Sequence, residues 1–184
     1  ANPEISPNAM SVGQVINIPS DPENPSGEPT PTPASFTIQQ IECYPTADQG
    51  MWCLVLVHND FPDFMENVSA QVTLVDSNNV ALESQTALLP LNILPPNTSL
   101  PLTVFFHPEI PSNAKPQVQV LTAIRLLPND ERYLPATISN TLVQVNADGR
   151  SARVNGEVIL QGDVEAASQV WGTGTGYDGM GGVV

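Results

Sequence analysis

The sequence predicts an all-β protein: an antiparallel β-sandwich with a proline-rich N-terminal arm and an incomplete second β module. Three observations carry this expectation. From Phe36 onward, short apolar or alternating segments are separated by turn-forming residues, with a turn signal roughly every 8–15 positions as in sandwich domains. The 19 prolines gather in linkers and at segment ends, where they argue against long helices. No stretch of useful length repeats its apolar residues at the helical period.

The elements follow in order. "SFTIQQIECY" (35–44) alternates, with Phe36, Ile38, Ile41 and Cys43 expected to point inward. "MWCLVLVHN" (51–59) is a strongly apolar strand. "NVSAQVTLVDSNNVALESQTALL" (67–89) reads as two strands joined at Asp76-Ser77-Asn78-Asn79, residues that tolerate positive φ in a tight turn. "LPLTVFFHP" (100–108) and "VQVLTAIRLLP" (118–128) complete the set. Cys43 and Cys53 flank the turn-like "YPTADQGMW". If their strands pair, the sulfurs stand opposite each other within bonding distance, and a disulfide is expected; two buried thiols are the alternative. Two cysteines without neighbouring histidines make a poor zinc site.

Composition narrows the function. Five basic residues against nineteen acidic ones give a net charge of −14, and Lys115 is the single lysine. Such a surface repels phosphate backbones and anionic lipid, so nucleic acid is not an expected partner. No apolar run is long enough to span a membrane. A polar surface built on Asn, Gln, Ser and Thr suits an extracellular or cell-surface location.

The chain repeats itself. "VLVHND" (55–60) returns as "VILQGD" (158–163), and "VSAQVTLVD" (68–76) as "VWGTGTGYD" (170–178). Asp60 aligns with Asp163, Val68 with Val170 and Asp76 with Asp178, at a nearly constant offset. Residues 141–184 therefore read as a second copy of the module at 35–140, cut short because a sandwich of this kind needs about 100 residues. Within it, Trp171, Thr173, Thr175 and Tyr177 are expected on one face of a strand, and Gly172, Gly174 and Gly176 on the other. A glycine face admits another backbone closely, so Trp171, Gly172, Gly174, Gly176 and Tyr177 form a candidate interface for self-association into a fibre.

Two resemblances extend this reading. Residues 1–19 carry an Asn-Pro pair, a Ser-Pro turn, "SVGQ" and an alternating strand closed by "IP": Asn2, Pro3, Ile5, Ser6, Pro7, Val12, Gly13, Gln14, Val15, Ile18 and Pro19. This resembles the second half of a LysM domain, which implies peptidoglycan contact through an intact LysM in the parent protein. Residues 20–34, "SDPENPSGEPTPTPA", are a semi-rigid Pro-rich linker. In the following module, Val55, Val57, Asn59, Val68, Val72, Leu74, Asp76 and Val80 resemble the FxLyD pattern of extracellular bacterial immunoglobulin-like domains, and "GYDGMGGVV" resembles its later part. The whole arrangement is similar to surface proteins of filamentous, Chloroflexota-type bacteria.

No catalytic constellation is expected. His58 and His107 stand at strand ends, and no serine occupies a nucleophile elbow. Asp60, Asp63 and Glu66 in "NDFPDFMEN" are a weak calcium candidate, since loops at sandwich ends often supply oxygen ligands. Phe61 and Phe64 in the same loop are candidates for a partner contact or for capping the core. Asn67 and Asn97 head glycosylation sequons. The expected function is a non-enzymatic structural, adhesive or display module, whose incomplete second copy is either a piece of a longer multidomain protein or completed by strand addition in a surface fibre. The alternative is a glycan-binding accessory region of a larger wall-active enzyme.

Overall fold

A computed structural model describes residues 36–126, 130, 132–134, 136–149, 151–160, 167 and 169–184, all within the unit Ala34–Val184. The LysM-like segment, the linker, and the Gln161–Asp163 part of the repeat lie outside the described residues.

Every regular element among the described residues is a strand: β1 (Thr37–Pro45), β2 (Met51–His58), β3 (Met65–Val75), β4 (Ala81–Leu88), β5 (Ile93–Leu94), β6 (Ser99–Phe106), β7 (Lys115–Arg125), β8 (Ala136–Val145) and β9 (Ala152–Leu160). All pairings are antiparallel. Strands β1–β2–β6 form one layer and β4–β3–β7 the other, with β5 continuing the lane of β4 beside β3. The layers are joined at one corner, where Leu88 pairs with Thr103. The expected sandwich is thus present.

Its core is the sum of the inward faces. β2 contributes Met51, Cys53, Val55 and Val57, and β6 contributes Leu100, Leu102, Val104 and Phe106. β3 answers with Met65, Val68, Ala70, Val72 and Leu74. Full burial of such side chains stabilises by roughly 1.5–3 kcal/mol each, which offsets the entropy of ordering the chain. β1 faces inward through Ile38, Ile41 and Cys43 beside Phe36, as expected. The odd step from 38 to 41 is a bulge: Ile38 pairs with Val57 but Gln40 with Leu56, so Gln39 is the extra residue. A second bulge at Asn67, with φ 52°, returns Met65 to the core face of β3. Pro101 sits inside β6 without penalty on the β4 side, because β6 meets β4 only at Thr103.

Cys43 and Cys53 are directly opposite in the β1–β2 register and form the expected disulfide. The turns follow one rule. In Thr46–Gly50, Asp76–Val80 and Asp178–Gly182, the first residue's N–H donates to the carbonyl four positions on, and its carbonyl accepts from the amide three positions on. The fourth residue is left-handed in each case: Gln49 (φ 68°), Asn79 (φ 60°) and Gly181 (φ 86°). This is the three-residue hairpin loop closed by a bulge, and the side chains of Asn and Asp and the freedom of Gly suit its left-handed position.

Among the described residues, β8 and β9 pair only with each other. β8 begins at Ala136, so it crosses the 140/141 point at which the second copy was placed. The remainder departs from expectation: residues 170–176 form no strand, and Tyr177 makes a single bridge with Val183. An extended glycine-rich segment needs a neighbouring strand to become part of a ladder, and none of the described residues flanks it as one.

Candidate functional site

The outward face of β1–β2–β6 is unusually apolar for a sheet exposed at the surface. Alternation places Gln40, Glu42 and Tyr44 of β1 on it, with Trp52 and Leu54 of β2 and Thr103 and Phe105 of β6. Tyr44 pairs across to Trp52, and Trp52 to Phe105, with ring centroids of the latter pair 5.1 Å apart. A groove of about 400 Å³ runs between Tyr44, Trp52, Leu54, Thr103 and Val184.

The C-terminal turn occupies this face. Gln40 holds it through both ends of its amide: Nε2 donates to the Gly181 carbonyl at 2.9 Å, and Oε1 accepts from the Val183 N–H at 3.1 Å. The Tyr44 hydroxyl donates to the Val183 carbonyl at 2.7 Å. Val183 is fully buried, although it belongs to no part of the sandwich core. Burial pushes the Tyr44 phenol above its ordinary value, and the carboxylates of Glu42 and Asp178 push it further. The neutral, donating phenol is therefore favoured. Asp178 shapes the turn by accepting from the amides of Met180 and Gly182, both at 2.8 Å.

Of the glycine-rich segment expected to form an interface, Tyr177 and Gly176 border this seat: the Val184 amide donates to the Gly176 carbonyl at 3.1 Å. Trp171 is 73% exposed, and Gly172 and Gly174 meet no neighbouring atoms where a side chain would stand.

A second surface belongs to β8–β9. Cross-strand partners share a face, so Ala136, Ile138, Val143 and Val145 lie with Leu160, Val158, Val154 and Ala152 on one side of the hairpin. The other side is mixed: Thr137, Ser139, Gln144, Arg153, Asn155 and Glu157, with Leu142 and Ile159 among them. One face is wholly apolar, and its large members are open: Ile138 65%, Val145 65% and Val154 61% exposed. A two-stranded hairpin is at best marginally stable alone in water, so a face of this kind calls for cover.

The loop after β2 is organised by a residue whose role the sequence did not reveal. Asn59 is completely buried. Its Nδ2 donates to the carbonyls of Asp63 (2.8 Å), Leu94 (3.1 Å) and Pro95 (3.2 Å), and its Oδ1 accepts from the Phe61 N–H at 3.0 Å. Phe61 thereby turns onto the core with Arg125 stacked 3.9 Å from its ring, while Phe64 is exposed.

Two members of the calcium candidate have partners elsewhere in this arrangement. Asp60 accepts from Thr37 Oγ1 at 2.6 Å, and Glu66 pairs with Arg132 at 3.1 Å. Among the described residues no group of three or more acidic, His or Cys side chains is placed to hold a metal. Arg132 also binds Asp130, and its hydrogen bonds hold that carboxyl down at about 2.

The fold also assembles a trio that sequence reasoning missed. His58 Nδ1 lies 2.9 Å from Ser99 Oγ, and His58 Nε2 lies 3.7 Å from Asp60. The Ser99 hydroxyl donates to Gln39 Oε1 at 2.8 Å, so its proton is committed away from the imidazole. The trio lies on the outward side of three paired strands and staples β1, β2 and β6 together.

These features define a β-sandwich module with one occupied docking face and one open apolar hairpin. No family model, curated protein or solved structure matches the chain.

Proposed function

We propose that this protein is a non-enzymatic, extracellular cell-surface module with a structural, adhesive or display role, and that it assembles with further copies of itself. The observation that carries the reading is the β8–β9 hairpin, which exposes one wholly apolar face and, on the other, Leu142 and Ile159. An open apolar hairpin favours completion by strands of a second copy, because main-chain pairing and apolar cover then come together. A head-to-tail contact of this sort that does not close generates a fibre.

The disulfide and the strongly acidic surface support an oxidising, extracellular setting. The resemblance of residues 1–19 to half a LysM, and of the sandwich to FxLyD immunoglobulin-like domains, supports attachment to a peptidoglycan wall. The seven FxLyD-like positions other than Val80 perform structural tasks: Val55, Val57, Val68, Val72 and Leu74 fill the core, Asn59 anchors a loop, and Asp76 anchors a turn.

Sedimentation of the full chain tests assembly. Concentration-dependent growth that is lost in the Val143→Asp/Val154→Asp variant is the expected result. A full chain that stays monomeric at millimolar concentration overturns the assembly reading.

A further inference from the structure

The seat on β1–β2–β6 is built to read a backbone. The Gln40 amide donates to one carbonyl and accepts from one amide, as a neighbouring strand would. Tyr44 takes the next carbonyl, and one small branched side chain, Val183, is enclosed. What is seated is specific in shape: an aspartate-anchored turn followed at once by two apolar residues.

The same turn occurs once more, 102 residues earlier. In Asp76–Val80 the carboxylate accepts from the amides of Asn78 (2.8 Å) and Val80 (2.9 Å), as Asp178 does from Met180 and Gly182. The register then places Ala81 at the position of Val183 and Leu82 at that of Val184. Resting on the reading of residues 141–184 as a second copy, we propose that the outward face of β1–β2–β6 is the socket of a module-to-module joint. Its occupant is the aspartate-anchored turn of the following copy. Each module then offers a socket on one layer and a plug at the tip of its β3–β4 hairpin. The first copy's plug is exposed, with Val80 59% and Leu82 41% accessible.

The joint is tested on the full chain in a Trp171→Phe background, so that Trp52 is the one reporter. Val183→Asp places a charge in the enclosed pocket and ejects the turn; Trp52 emission shifts to the red. A peptide spanning residues 173–184, added in trans, reverses that shift, and the same peptide carrying Val183→Asp does not. A peptide spanning residues 74–82 binds more weakly, because alanine fills less of the pocket than valine, and Ala81→Val in it strengthens binding. In the parent chain the Val183 amide exchanges slowly, and Gln40→Ala, which removes two hydrogen bonds to the turn, accelerates that exchange at least tenfold, the factor that a net loss of about 1.4 kcal/mol gives.

If Trp52 does not respond to Val183→Asp, the seat itself is wrong. If the 173–184 peptide fails to rescue an opened socket, or the 74–82 peptide fails even with Ala81→Val, the joint is overturned. None of these readouts depends on assembly through β8–β9, so a monomeric chain with a working socket fails only the earlier reading.

Discussion

Replacing Asn59 by alanine removes a buried side chain that makes four hydrogen bonds and leaves their partners in place. A hydrogen bond contributes about 1 kcal/mol net, but an orphaned buried group costs about 1–3 kcal/mol. The Phe61 N–H loses its partner outright, and the carbonyls of Asp63, Leu94 and Pro95 lose a shared donor. Carbonyls near the surface regain some hydration, so the sum falls at about 3–5 kcal/mol rather than at the full additive figure. A sandwich of this size has about 5–15 kcal/mol in total, so Asn59→Ala folds but melts some 12–30 °C lower. Chemical denaturation followed by Trp52 fluorescence measures the loss. Asn59→Asp separates charge from shape. It keeps the acceptor for Phe61 but turns a carboxylate toward three carbonyls, which raises the folded pKa above the ordinary value. For a raised pKa, stability is intact below the unfolded value near 4 and declines as pH rises through the folded one. Asn59→Asp is therefore least stable at neutral pH and recovers on acidification. A loss below about 1 kcal/mol for Asn59→Ala would refute the account of this loop.

The disulfide closes a loop with a sequence separation of 10; the chain-entropy relation gives about 3 kcal/mol, so reduction lowers the denaturation midpoint by that equivalent. Asp130 is held at about 2 by its hydrogen bonds to Arg132. Its folded pKa lies below the unfolded value, so its contribution is present above about pH 4 and disappears as pH falls toward 2. Arg132→Gln should move the Asp130 midpoint, read by carbonyl NMR, back toward the ordinary carboxylate range. Asn79 occupies the left-handed position of its turn; Asn79→Ala costs about 1 kcal/mol in thermal melts, whereas Asn79→Gly leaves stability within a few tenths.

The sandwich was legible because its signals are local. Alternation in β1, the unbroken apolar run of β2 and the turn residues after Val75 each fix a strand without knowledge of its partner. Pairing of Cys43 with Cys53 followed from a short turn between adjacent strands. The seat for the C-terminal turn was not legible, since Gln40 and Val183 meet across more than 140 residues and the motif that holds Val183 says nothing of its partner. Asn59 was quoted as part of a pattern, but its burial depends on β5, a two-residue strand too short to announce itself. The glycine alternation at 172–176 suggested a strand, yet periodicity alone supplies no hydrogen-bonding neighbour. The partners of the acidic triplet at 60–66 were not legible either, because Thr37 and Arg132, which bind Asp60 and Glu66, are distant in sequence.

The chain enters and leaves the sandwich at the same pole. Thr37 is tied to Asp60, and Arg125 lies over Phe61, one residue further on in the same loop. A pull on the two ends therefore peels β1 from β2 and β7 from β3 pair by pair, instead of shearing whole ladders at once. Peeling of β1 stops at Cys43, where the covalent bond passes the load to Cys53 near the start of β2, itself flanked by β6. Residues 37–42 would then pay out about 20 Å of slack while the core remains closed. If the module is tethered as proposed, the bridge sets the length of a recoverable extension, and its reduction would let the strand run on to the turn.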